Sequence, residues 1–316
     1  MNKKIKRIFS IILAVTTIAI ALIPTLPTVA ALAEEQQYVF TSIDKPGAYS
    51  TNAMGINARG DIVGVYDNPG DARWIYRGFL FSKGIYTEID YPDPDAIMTF
   101  PVGISPSGDI VGYYYEDTNG DGNTDYTHGF LRTKEGAYSK VDYEDPLVQG
   151  LTRILPDGTM IGMTYTMHPI MISGKTYTER ADILGCHYGA TPNGKQLVGT
   201  YYNPFPRAYL IDNGTFIPFD VFDGIISVAW GISPSGNTIV GTYKHTPSYD
   251  YFEGHGFIAE RKGLDVEDWN FTEVVYPDAT VIATRIFGIN AGGDIVGAYN
   301  HSDGIWHGFV ATPFED

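Results

Sequence analysis

The sequence predicts an all-β fold: a single β-propeller of six blades, each of four antiparallel strands, with an N-terminal strand completing the last blade. Three observations predict it. Three short phrases recur in a fixed order along the chain, each appears six times when the two ends are counted together, and tight-turn residues separate them.

The first phrase is a Gly-Ile, a turn and a Val-Gly. It reads GINARGDIVGVY from Gly55, GISPSGDIVGYY from Gly103, GISPSGNTIVGTY from Gly231 and GINAGGDIVGAY from Gly288. Looser copies start at Ile154 and Ala190, and successive turn glycines lie 36 to 57 residues apart. The second phrase is a short aromatic strand, such as RGFLF from Arg77 and HGFLR from His128. The third alternates polar and apolar residues and runs into an acidic loop, as in YTEIDYPDP from Tyr86. Alternation with a period of two buries one face of a strand and wets the other. The last repeat stops after HGFVATPFED without a fourth strand, and YVFTSIDKPGA from Tyr38 supplies it. Residues 38–48 are therefore expected beside residues 307–311, which closes the ring and hides its edges.

Ahead of the repeats stand a basic head, Met1 to Arg7, an apolar stretch from Ile8 to Ile23, and the small exit Ala31-Leu32-Ala33. This pattern predicts a signal peptide, residues 1–33, cleaved after Ala33, and a propeller over residues 34–316. It implies a secreted, extracellular protein with no stable membrane insertion after cleavage. The formal net charge is −16 and becomes −20 once Lys3, Lys4, Lys6 and Arg7 leave with the leader. Such a surface repels nucleic acid, whose binding depends on cations that neutralise phosphates. A single cysteine, Cys186, excludes an internal disulfide.

The phrases resemble the extracellular HAF repeat family, whose repeats carry a Gly-Ile-Asn turn, an Ile-Val-Gly strand and a His-Ala-Phe strand. The matching residues are Gly55-Ile56-Asn57, Ile62-Val63-Gly64 and the His-Gly-Phe at His128, His255 and His307, with Gly in place of Ala. The resemblance implies a secreted β-propeller without an agreed activity.

Between the second and third strands of blade two lies Asp117-Thr118-Asn119-Gly120-Asp121-Gly122-Asn123-Thr124-Asp125. Side-chain oxygens recur at alternate places around a central glycine, a spacing that wraps one calcium ion. Asp117, Asn119, Asp121 and Asp125 are the candidate side-chain ligands and Asn123 offers its carbonyl. An EF-hand would need a glutamate where His128 stands, and the loop is similar instead to the calcium hairpins of integrin-type FG-GAP blades. The expected cofactor is Ca2+, pinning two strands.

Aligned on the Gly-Ile turn, Met54, Val102, Thr152, Tyr188, Trp230 and Phe287 form one ring near the axis, with Asn52, Phe100, Cys186, His187 and Arg285 beside them. Arg153, His187 and Arg285 break the repeat there. Asn52, Phe100, His187, Tyr188, Trp230 and Arg285 are therefore the candidate channel residues for ligand binding. His128, His168, His255 and His307 hold one repeat position in four blades, too far apart to share a metal. Acids such as Asp44, Asp90, Asp142 and Asp220 crowd the loops after the fourth strands. The function expected is a monomeric, non-enzymatic extracellular binding module for a protein, a glycan or a small cationic ligand. The alternative is a calcium-dependent hydrolase or lyase at the acidic mouth, in the manner of propeller lactonases, esterases and phytases, for which no catalytic residue can be named.

Overall fold

The structure is a computed structural model that describes residues 38–71, 75–142, 148–247 and 254–314. The predicted leader lies outside these residues, as do Glu144 and Asp145, two further acids of the loop after the fourth strand of blade two. Among the described residues no helix is long and apolar enough to cross a membrane.

Six sheets of four antiparallel strands follow one another. Blade one is Ser50–Ile56, Ile62–Asp67, Arg77–Ser82 and Ile85–Ile89; blade two is Ala96–Ile104, Ile110–Glu116, Tyr126–Arg132 and Tyr138–Val141. Blade three is Val148–Ile154, Met160–Thr164, Pro169–Ser173 and Thr176–Glu179; blade four is Gly185–Ala190, Gln196–Tyr202, Pro206–Asp212 and Thr215–Phe219. Blade five is Ile226–Ile232, Thr238–Lys244, His255–Glu260 and Asn270–Val274. Blade six is Val281–Ile289, Ile295–His301 and Trp306–Pro313, and its outer strand is Tyr38–Ser42 from the N-terminal end. Each blade's first strand contacts that of the next blade, and the sixth contacts the first. The chain is therefore a closed six-bladed β-propeller. The closing strand runs in register from Tyr38 opposite Pro313 to Ser42 opposite Phe309. It is shorter than the stretch to residue 48 that the repeat suggested, because Lys45 to Ala48 is spent on a turn.

The repeated phrases have direct packing causes. The glycine of each Val-Gly lies against the backbone of the inner strand. A Cβ at Gly64, Gly112, Gly162, Gly199, Gly241 or Gly297 would come within 1.8–2.1 Å of a carbonyl oxygen there. The aromatic of the third strand fills the core beside that glycine: Phe79, Phe130, Tyr209, Phe257 and Phe309 are all fully buried.

Every inner strand is also bulged at one equivalent place. Ladder register shifts between Ala53 and Gly55, Pro101 and Gly103, Leu151 and Arg153, His187 and Gly189, Ala229 and Gly231, and Ile286 and Gly288. The residues without a ladder partner are Met54, Val102, Thr152, Tyr188, Trp230 and Phe287, the very ring the repeat alignment picked out. A bulge leaves one residue unpaired and bends the strand, so backbone carbonyls here are free to face the axis.

Candidate functional site

The ring's two faces are built differently. On the face where the inner strands begin, side chains from three blades border a cavity of about 160 Å³. Its lining includes Tyr188, Trp230, Arg285, Thr200, Thr242 and Lys244. The Tyr188 and Trp230 rings lie 4.2 Å apart, and Phe287 meets Trp230 edge-on at 5.4 Å. The Arg285 guanidinium sits 4.4 Å above the Trp306 ring. Buried polar atoms without a hydrogen-bond partner among the described residues occur here: Trp230 Nε1 and Thr242 Oγ1. Leaving such atoms unpaired costs free energy that a ligand supplying the right acceptor or donor would recover.

Three of the six channel candidates therefore share one cavity, and the other three stand elsewhere. Phe100 stacks on Tyr113 at 4.9 Å and meets Tyr115 and, from blade one, Tyr76, an aromatic cluster between blades one and two. Asn52 is half-buried on the inner strand of blade one, opposite Val65. His187 is 2 % exposed and turns away from the axis. Its Nδ1 is in hydrogen-bond reach of the Tyr209 hydroxyl, and its ring borders a separate depression between blades three and four. Burial holds the His187 imidazole down to about 3 and pushes the Cys186 thiol up to about 11. Neither group is a ready base or nucleophile at neutral pH. Lys244 and Thr242 were missed by the repeat alignment because they lie on the second strand, which it treats as uniform packing.

The repeat-position histidines each find an acid in their own blade. His128 contacts Glu116 and Asp142, both at 3.1 Å; His168 contacts Glu179 at 2.7 Å; His255 contacts Glu273 at 2.6 Å. His307 contacts Asp44 at 2.9 Å across the closing strand. Arg207 does the same with Asp220, and Asp90 accepts from the Gly78 amide. Much of the acidic rim is thus spent on holding third and fourth strands together.

The Asp117–Asp125 loop is a hairpin closed by the Asp125 amide donating to the Glu116 carbonyl at 2.7 Å. Asp117 is nearly buried at its centre and accepts from the amides of Gly120, Asp121 and Gly122. Asp125 accepts from the Thr118 amide and hydroxyl, which hold its carboxyl below the usual range. Asn119 accepts from the Asp121 amide, and Asp121 from the Asn123 amide. Among the described residues no three His, Cys, Asp or Glu side chains stand grouped as a metal cluster. The all-oxygen donor set suits a hard cation, and a cation would have to take these oxygens from loop amides.

The opposite mouth is ringed by the Gly-Ile turns. A cavity of about 110 Å³ there takes lining from all six blades. Gly55, Gly103, Gly189, Gly231 and Gly288 allow the inner strands to crowd the axis; a Cβ on Gly189 would come within 3.1 Å of the Gly231 Cα. Blade three carries Arg153 in the sixth place, and this side chain reaches across the axis at the cavity floor.

No protein-family model matches the chain, and no curated protein matches it. Solved structures do. One is described as YCF48 bound to D1 peptide: 11% identity, TM-score 0.47, covering 90% of this chain and 97% of that one. Another is the β-propeller domain of the Trilobed protease from Pyrococcus furiosus: 12% identity, TM-score 0.44, covering 85% and 97%. At such identity neither bears on what this chain binds, and the HAF-like phrases carry no family assignment.

Proposed function

We propose that this chain is a secreted, calcium-binding β-propeller that works as a non-enzymatic extracellular binding module, seating part of a protein or glycan partner between Tyr188, Trp230 and Arg285. The observation that carries this reading is the convergence of those side chains on one cavity with Lys244 and with the unpartnered Trp230 Nε1 and Thr242 Oγ1. Stacked aromatic faces beside a few fixed polar groups are the usual make-up of a recognition pocket. The two unpartnered groups are a Trp230 N–H donor and a Thr242 hydroxyl. A partner presenting an acceptor-rich group suits the Trp230 N–H best.

The calcium loop leaves the second strand of blade two on this same face and belongs to the proposal as a structural ion, with Asp117, Asn119, Asp121 and Asp125 as side-chain ligands. Tryptophan fluorescence with glucuronate and glucose as probes tests the pocket. Saturable quenching by glucuronate, lost in Arg285→Ala and absent with glucose, supports it; no saturable response to either sugar removes the glycan form of the reading. Calorimetric titration of EDTA-stripped protein tests the ion. One calcium event with a raised Tm, lost in Asp121→Ala, supports it, and the absence of any event rejects it.

A further inference from the structure

Arg153 stands where five blades carry glycine. Its Nη1 donates to the Val102 carbonyl of blade two and its Nη2 to the Phe287 carbonyl of blade six, each at 3.0 Å. Both acceptors belong to bulged residues whose ladder partners are missing. No carboxylate partner of Arg153 occurs among the described residues. A guanidinium is planar with N–H groups on every edge, so two carbonyl bonds leave donors over. Burial lowers its pKa only to about 10, so the group stays charged at neutral pH.

The charge lies at the floor of the turn-side cavity, whose wall mixes polar groups with apolar side chains that include Ile56, Ile154, Pro192, Ile232 and Pro234. Asn57 and Asn290 also line it, but their side chains are spent inside their own turns and on the next blade. Asn57 accepts from the Arg59 and Asp61 amides and donates to Asp61 and the Ser105 carbonyl. Asn290 accepts from the Gly292 and Asp294 amides and donates to Asp294 and the Asn57 carbonyl. What remains among the side chains is one under-partnered cation beside isoleucine and proline side chains. Such a cation gains most from an anion that brings its own apolar body.

We infer that the turn-side mouth is a binding site for a short-chain organic carboxylate, held by the free N–H edge of Arg153 with its aliphatic tail against the isoleucine and proline wall. This site is on the opposite face from the Tyr188–Trp230 pocket and does not depend on it.

Calorimetric titration with sodium butyrate, against butyramide and sodium sulfate at fixed ionic strength, tests it. Saturable butyrate binding with a raised Tm is expected, with neither effect from the amide and a weaker one from sulfate. Charge-assisted hydrogen bonds of this kind make the expected loss in Arg153→Gly at least about tenfold in affinity, with partial retention in Arg153→Lys. Arg153→Gly restores the glycine found in the other blades; should it not fold, the acid-against-amide comparison on the unaltered protein still decides. Equal responses to butyrate and butyramide, a sulfate response as strong as butyrate, or undiminished binding in folded Arg153→Gly would each overturn the assignment.

Discussion

The Arg153 guanidinium of blade three and the Phe287 carbonyl of blade six face one another across the full diameter of the ring, 3.0 Å apart. With the Val102 contact, one side chain ties three blades at the axis. Arg153→Gly leaves both carbonyls unpaired and removes the brace, so it is expected to lower unfolding free energy by about 1–3 kcal/mol while keeping the strand content. Urea titration with circular dichroism reads both quantities. A variant as stable as the parent would show that the desolvation cost of the buried cation cancels its bonds.

His187 gives the fold an acid-side weakness. Its folded pKa, about 3, lies below the ordinary 6.5 that the unfolded chain recovers. The unfolded state therefore takes up the proton first, and the stability linked to this group is complete above about pH 6.5 and is lost as pH falls toward 3. The slope approaches about 1.4 kcal/mol per pH unit, which makes the loss roughly 2 kcal/mol between pH 8 and pH 5. Comparing that loss with the one in His187→Gln checks it, because equal losses in the two proteins would mean the imidazole is not the responsible group.

The glycines of the Val-Gly phrase are steric requirements rather than flexible points. An alanine Cβ at Gly241 would lie 2.1 Å from the Val228 oxygen and 2.5 Å from the Phe257 ring. Gly241→Ala is expected to cost about 3 kcal/mol or more. Gly47, at φ +82 with nothing near its Cβ position, should lose only the roughly 1–2 kcal/mol of a left-handed alanine. Melting temperatures of the two variants rank these costs, and a reversed order would refute the packing account.

Ring closure rests on Tyr38–Ser42 and on the residues just after it. The Ile43 amide donates to the Gly308 carbonyl at 2.8 Å, and Asp44 accepts from the Gly308 amide at 3.0 Å. A chain starting at Lys45 exposes the Trp306–Pro313 strand as a bare edge, a template for pairing with another chain. Light scattering should find the truncated protein more associated or aggregated than the longer one. A monodisperse truncated protein with unchanged Tm would show that the outer strand is dispensable.

The candidate site was only partly legible in the sequence. Tyr188 and Trp230 were readable because alignment on the Gly-Ile turn puts them in one ring near the axis, and Arg285 because it breaks the repeat beside that ring. Thr242 and Lys244 were not, since nothing local distinguishes a second-strand residue facing a cavity from one facing a neighbour. His187 was read with the axis because an alignment anchored on the Gly-Ile turn cannot see the bulge that decides which side chain turns inward.

The sequence by itself determined the blade number, the strand order and the closure by an N-terminal strand starting at Tyr38, because glycine, aromatic and turn requirements are local and recur with every copy. Only the tertiary structure decided that Arg153 crosses the axis and that Tyr188, Trp230 and Arg285 meet. Both depend on where six bulged strands converge, and convergence is set by contacts between blades rather than by the pattern within any one of them.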